Sequence, residues 1–242
     1  MEKILQSMMK RFPLFIGMGV MIVMIAVVIG AVNAVNASNY YAVDKAARDA
    51  SVALAQVRAG IESTTVWLPY FKFLGVAMIL GGIVMALGVI NMRLQKLGKA
   101  VMSSVPEEVR VPMPSKPGSI FLMRMFMMLG MLVIIVGFFI SLSVASTASS
   151  VFSNPITAID AAPASSELLA GLSSVHSAEA WLEAFKFAGV AFLFMGIVNG
   201  LASVVFALRF QWNAIPNVAK NLQTRSPQAA PDLTTEAAPA GD

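Results

Sequence analysis

The sequence predicts an all-α integral membrane protein. Its expected architecture is four transmembrane helices, a parallel tandem repeat of two helical hairpins packed as a pseudo-twofold bundle with both termini cytoplasmic. Three observations lead there. Of 242 residues, 57% are apolar and only 12% charged, where a soluble chain carries about a quarter. Four apolar stretches are long enough to cross a bilayer. Residues 67–87 also reappear, closely matched, at 181–201.

A hydrocarbon core about 30 Å thick takes about 20 apolar residues of helix to cross. Stretches 14–36, 69–92, 119–145 and 184–208 qualify. Their only charges, Lys72, Arg124 and Lys186, fall within a few residues of a span start, where they can snorkel to the headgroups. The first span, preceded by Lys3, Lys10 and Arg11 and ending in small residues, has the outline of a secretory signal. Its apolar run exceeds the usual core of about 7–15 residues, and an internal counterpart exists further along the chain. It therefore reads as a retained helix.

The bases set the orientation. Residues 1–12, 93–124 and the tail after 208 hold 12 of the 17 bases, while the two intervening segments hold five bases against seven acids. By the positive-inside rule the termini and central loop are cytoplasmic, and loops 37–68 and 146–183 lie outside. Trp67 and Trp181 then anchor the outer interface and Trp212 the inner one. The expected location is the cell membrane.

At a constant offset of 114, residues 67–87 and 181–201 are identical at 12 of 21 positions, among them Trp67/Trp181, Phe71-Lys72-Phe73/Phe185-Lys186-Phe187, Gly75/Gly189 and Gly82/Gly196. Shared hydrophobicity alone does not align a tryptophan, a Phe-Lys-Phe and two glycines. At an offset of 113 the first and third spans match more weakly, through Arg11/Arg124, Gly17/Gly130 and Met18/Met131. The expected units are therefore 1–112 and 113–224, followed by a disordered tail at 225–242. Two spans per unit make the copies parallel.

Small residues mark where helix backbones approach. Gly196 and Gly200 form a GxxxG in the fourth span, with Gly82 and Ala86 at the equivalent places in the second. Ala26, Gly30 and Ala34 make a ridge on the first span, and Gly137, Ser141 and Ala145 one on the third. Glycine is common in membrane helices, so the argument for contact is the pairing between units.

In the first outer loop, Val43, Ala47, Leu54, Val57 and Ile61 recur at mostly helical spacing. This fits either an amphipathic helix on the outer surface or an extension of the spans packed on the sister loop. The second outer loop, with Pro155 and Pro163, suggests looser chain and a short helix near 165–174. Four prolines between 106 and 117 exclude a single helix across the inner loop.

Chemistry-bearing residues are few. With no cysteine and one histidine, His176, thiolate and multi-histidine metal sites are excluded. No phosphate-binding loop, nucleophile elbow or paired-carboxylate site occurs. No cofactor and no enzymatic activity are expected. The basic excess belongs to membrane orientation, so nucleic acid is not implied. Asn199 near the middle of the fourth span predicts an interhelical hydrogen bond, with a solute contact as the alternative. Lys72 and Lys186 are the best symmetry-related polar pair; snorkelling beside aromatic rings explains them at least as well as an anion site. Met123, Met127 and Met131 line one face of the third span, and Met18, Met21 and Met24 run along the first. Thioethers suit Cu(I), but packing is the default role of methionine.

The function expected from this inventory is that of a structural or accessory subunit, a small duplicated membrane protein that packs in the bilayer beside other membrane subunits or copies of itself. The alternative is a small channel or carrier, which would be expected to show more midplane polar groups than Asn199 alone.

Overall fold

The computed structural model describes residues 11–103, 107 and 118–225. Among these residues there are six helices and no strand: α1 (Phe12–Tyr41), α2 (Lys45–Ala50), α3 (Val52–Ser103), α4 (Gly118–Phe152), α5 (Ile156–Asp160) and α6 (Glu167–Arg225). The inner-loop prolines and the tail after Arg225, expected to be irregular, lie outside the described residues. Helices α1, α3, α4 and α6 are each long and apolar enough to span a membrane, and they contain the four predicted spans. At 1.5 Å per residue, the 52 residues of α3 and the 59 of α6 reach about 78 and about 88 Å, more than twice the thickness of the hydrocarbon core.

The surplus length builds a headpiece at the loop end. The predicted helical stretch of the first outer loop is interrupted at Ser51, whose backbone is extended (φ −85°, ψ 122°). Asp44 caps α2 by accepting from the Ala46 N–H at 3.1 Å, and Ser51 Oγ accepts from the Leu54 N–H at 3.3 Å at the start of α3. Ser166 Oγ does the same for Leu169 at 3.3 Å at the start of α6. Beyond Ser51 the chain runs without a break into the second span, and Ala59 and Val66 bury themselves against Ala145, Ala148, Val151 and Phe152 of α4, Ile159 of α5 and Val175 of α6. Of the two expectations for this loop, the span extension packed on its sister loop is the one found. The short helix expected near 165–174 is likewise the beginning of α6.

Within the spans, α1 packs on α3 and α4 on α6 through glycine. A Cβ at Gly19 would lie 2.6 Å from the Gly75 carbonyl oxygen, and one at Gly75 would lie 2.8 Å from that of Gly19. In the other hairpin a Cβ at Gly130 would lie 2.8 Å from the Gly189 carbonyl oxygen. Only hydrogen fits between backbones this close. One step along, Gly82 meets Ile16 and the Phe12 carbonyl, and Gly196 meets the Met123 carbonyl and Met127. These contacts pair α1 with α4 at an offset of 111 (Phe12/Met123, Ile16/Met127, Gly19/Gly130) instead of the 113 expected from residue identity. Gly17, which the offset of 113 sets on Gly130, has nothing within 4 Å, and Met18 is 42% exposed. In apolar sequence a few chance identities outweigh a two-residue slip, whereas backbone contact admits no such slip. The ridges Ala26-Gly30-Ala34 and Gly137-Ser141-Ala145 also correspond at 111.

The hairpins meet through α3. Its Tyr70 ring rests against Gly137, Ala77 packs with Ile134 and Leu193, Val84 faces Gly196, and Leu87 faces Gly200. This is not the expected pseudo-twofold arrangement. A twofold would press α6 onto α1 as α3 is pressed onto α4, yet α1 packs along its length on α3 alone. The reason lies in the faces used. The side of α3 that receives α4 and α6 is different from the Gly75, Ile79 and Gly82 side that receives α1, whereas on α6 the face bearing Gly189, Gly196 and Gly200 receives both α4 and α3. Helix α3 is consequently the hub, and α1 a flanking helix.

Candidate packing site between the hairpins

The expected packing residues separate into two groups. Gly137, Gly196 and Gly200 lie in the seam between hairpins: Gly137 under the Tyr70 ring, Gly196 with Val84 Cγ2 3.5 Å from a Cβ built there, and Gly200 with Leu87 Cδ1 at 2.9 Å and Met123 Sδ at 3.1 Å. Gly82 and Gly30 serve the first hairpin instead, facing Ile16 and Leu68 Cδ2 respectively. Ala86, the counterpart of Gly200, is half-buried.

The seam core is sealed. Ala77, Ile134 and Leu193 are 0% exposed, wrapped by Phe73, Leu74, Leu80, Met127, Met131 and Val190. Most of its polar groups are bound locally, Asn91 Oδ1 being buried without a hydrogen-bond partner. The Tyr70 hydroxyl donates to the Leu182 carbonyl, Asn91 Nδ2 donates to Ser203 Oγ at 3.0 Å, and Ser203 Oγ donates to the Gly200 carbonyl at 2.8 Å. Ser141 Oγ donates to the Phe138 carbonyl at 2.7 Å. Further along, Gln211 Nε2 donates across to the Leu94 carbonyl at 3.1 Å. Beside it is a partly open, mostly apolar cavity of about 40 Å³ lined by Leu97, Val101, Met102, Phe210 and Ala214.

Asn199 makes no interhelical bond: its Nδ2 donates to the Met195 carbonyl of its own helix at 2.8 Å, on an exposed face. A side-chain amide can satisfy itself on the preceding turn, so position along a span does not fix its partner. The interhelical role belongs to Asn91 and Ser203, 112 residues apart, to Tyr70 and to Gln211. The repeat does not mark them, since at the offset of 114 Asn91 corresponds to Val205 and Tyr70 to Ala184.

The two lysines are not equivalent in the structure. Lys186 has a side chain 14% exposed, pairs with Glu183 at 3.5 Å, and sits 5.4 Å from the ring centroids of both Phe73 and Phe187, within cation–π range. Lys72 is exposed. Trp67 stacks edge-on with Phe71 at 5.7 Å and Trp181 with Phe185 at 5.9 Å, the same pairing in both hairpins, while Trp212 is 81% exposed. The methionine rows do not converge. Met123 is 2% exposed and Met127 and Met131 pack in the seam, whereas Met18, Met21 and Met24 lie 42 to 59% exposed on α1. They form no shared thioether lane. His176 is exposed, and no group of three or more His, Cys, Asp or Glu that could hold a metal occurs among the described residues.

Among the described residues this arrangement holds helices together. No protein-family model matches the chain, and no curated protein or solved structure is significantly similar to it. Its function has to be argued from the packing.

Proposed function

We propose that this chain is a structural or accessory subunit of a larger assembly in the cell membrane. In this reading it is a duplicated two-span unit with both termini and the basic end in the cytoplasm. The observation that carries the role is the sealed seam. Ala77, Ile134 and Leu193 are fully buried, and Tyr70 and Ser203 bind backbone carbonyls across or within the seam, which supports packing over a solute lane between the hairpins. The duplication rests on the 12 identities in 21 positions, together with the repeated glycine contacts Gly19/Gly75 and Gly130/Gly189. The orientation rests on the clustering of bases, including Arg93, Lys96, Lys99, Arg124, Arg209 and Lys220, at one end of the spans.

The test is affinity purification from native membranes in mild detergent with identification of associated proteins, beside reconstitution of the chain alone in liposomes. Stoichiometric recovery of other membrane subunits, with liposomes no leakier than protein-free ones, is the expected result. A solute flux through the purified chain, with no other subunit recovered, would replace this reading with that of a small channel or carrier.

A further inference from the structure

The contact between hairpins joins unlike surfaces. The first hairpin contributes a ridge on α3, consisting of Tyr70, Phe73, Ala77, Leu80, Val84, Leu87 and Asn91. The second contributes a groove formed by α4 and the glycine-bearing face of α6. If the hairpins are copies, each carries both surfaces, and one ridge and one groove are left unused. The corresponding ridge lies on α6 and is free except at Phe187, whose ring meets Phe73 edge-on at 5.7 Å and leaves its other side exposed. At the offset of 114 the seven α3 positions become Ala184, Phe187, Ala191, Phe194, Val198, Leu201 and Val205, and four of the seven are identical: Phe73/Phe187, Ala77/Ala191, Val84/Val198 and Leu87/Leu201.

Exposure separates the two ridges. Ala77, Val84 and Asn91 are 0, 1 and 3% exposed, whereas Phe194, Val198, Leu201 and Val205 are 53, 58, 50 and 48% exposed. The unused groove lies between α1 and α3, since α1 packs along its length on α3 alone. Ala86 there takes the place of Gly200, and Lys72 takes the place of Lys186.

We propose that a second copy of this chain fills that groove: the α6 ridge of one copy seats between α1 and α3 of the next, repeating head to tail the contact that joins the hairpins within one chain. Two features favour this occupant over lipid. The ridge reproduces a shape that the chain already buries. Lys72, exposed within its span, gains on Phe187 of the neighbouring copy the ring contact that Lys186 has on Phe73. A head-to-tail contact generates a ring if the rotation per step closes and a filament if it does not. The inference rests on the duplication reading and is independent of which other subunits accompany the chain.

The absence of native cysteine makes a disulfide test direct. A Cβ at Gly200 lies 3.3 Å from Leu87 Cβ, close to the separation a disulfide bridges. Leu87→Cys with Gly200→Cys in one chain should therefore close an intrachain bond. The intermolecular counterpart uses two differently tagged single variants of the full chain, Ala86→Cys and Leu201→Cys, co-expressed and oxidised in native membranes. The expected product is a mixed disulfide carrying both tags, at least tenfold above that from Val28→Cys with Leu201→Cys, Val28 being 61% exposed on α1. A closed intrachain control with no excess of the mixed product overturns the head-to-tail contact. A dominant bond between two Leu201→Cys copies also overturns it, in favour of a face-to-face dimer. Failure of the intrachain control overturns the pairing of α3 with α6 from which the contact was built.

Discussion

Tyr70 joins the hairpins twice, by its ring on Gly137 and its hydroxyl on the Leu182 carbonyl. Tyr70→Phe keeps the ring and removes one buried hydrogen bond, a loss of about 1 kcal/mol; Tyr70→Ala removes both and opens a cavity, costing about 3–5 kcal/mol. Thermal unfolding in detergent, followed by tryptophan fluorescence, should rank them in that order. Equal midpoints for the two variants would show that the hydroxyl carries the whole contact. At this scale the sequence was least legible. It pointed to Asn199, conspicuous in mid-span, whereas the bond between helices is made by Asn91, at the end of its span and therefore inconspicuous. Hydropathy locates a polar group along a helix axis, but the partner depends on azimuth, which only the packing fixes.

The helices themselves were legible because each span must satisfy its own backbone in lipid; length and apolar content were sufficient for all four. Register between spans was not. Two glycines on α1 only two residues apart have opposite surroundings: Gly19 abuts the Gly75 backbone, and Gly17 has open space. Gly19→Ala should therefore lower stability by about 1–3 kcal/mol through forced separation of the backbones, while Gly17→Ala should raise it by up to about 1 kcal/mol through helix propensity. Gly130→Ala should behave as Gly19→Ala does. Unfolding midpoints of the three variants test the register of 111 directly, since a register of 113 predicts the same sign for Gly17 and Gly130. In the fourth span Gly200→Leu should cost far more than Ala202→Leu, because Gly200 faces Leu87 and Met123 and Ala202 is exposed. The break at Ser51 was hidden in the sequence by good helix formers on both sides.

At the scale of the whole molecule, the long α3 and α6 carry the headpiece at one end and the basic cluster at the other. The proposed orientation predicts that an impermeant thiol reagent applied to intact cells labels Ala46→Cys, exposed in α2, and leaves Ser103→Cys, exposed at the end of α3, until the membrane is broken. The opposite pattern would invert the topology. The general form of the bundle followed from the sequence, but its asymmetry did not, because identical residues on α3 and α6 occupy unlike places once α1 takes one flank of the hub. That asymmetry bears on biosynthesis. Residues 12–103 leave the ribosome first, and the Gly19/Gly75 contact lets the leading hairpin pair as soon as α3 has entered the bilayer. Its ridge from Tyr70 to Asn91 then waits, uncovered, until α4 and α6 are made. During that interval the nascent ridge resembles the α6 ridge of every finished copy and competes for the same grooves. If the proposed head-to-tail contact forms, slowed translation after residue 103 should favour chains exchanged between molecules over chains folded on themselves.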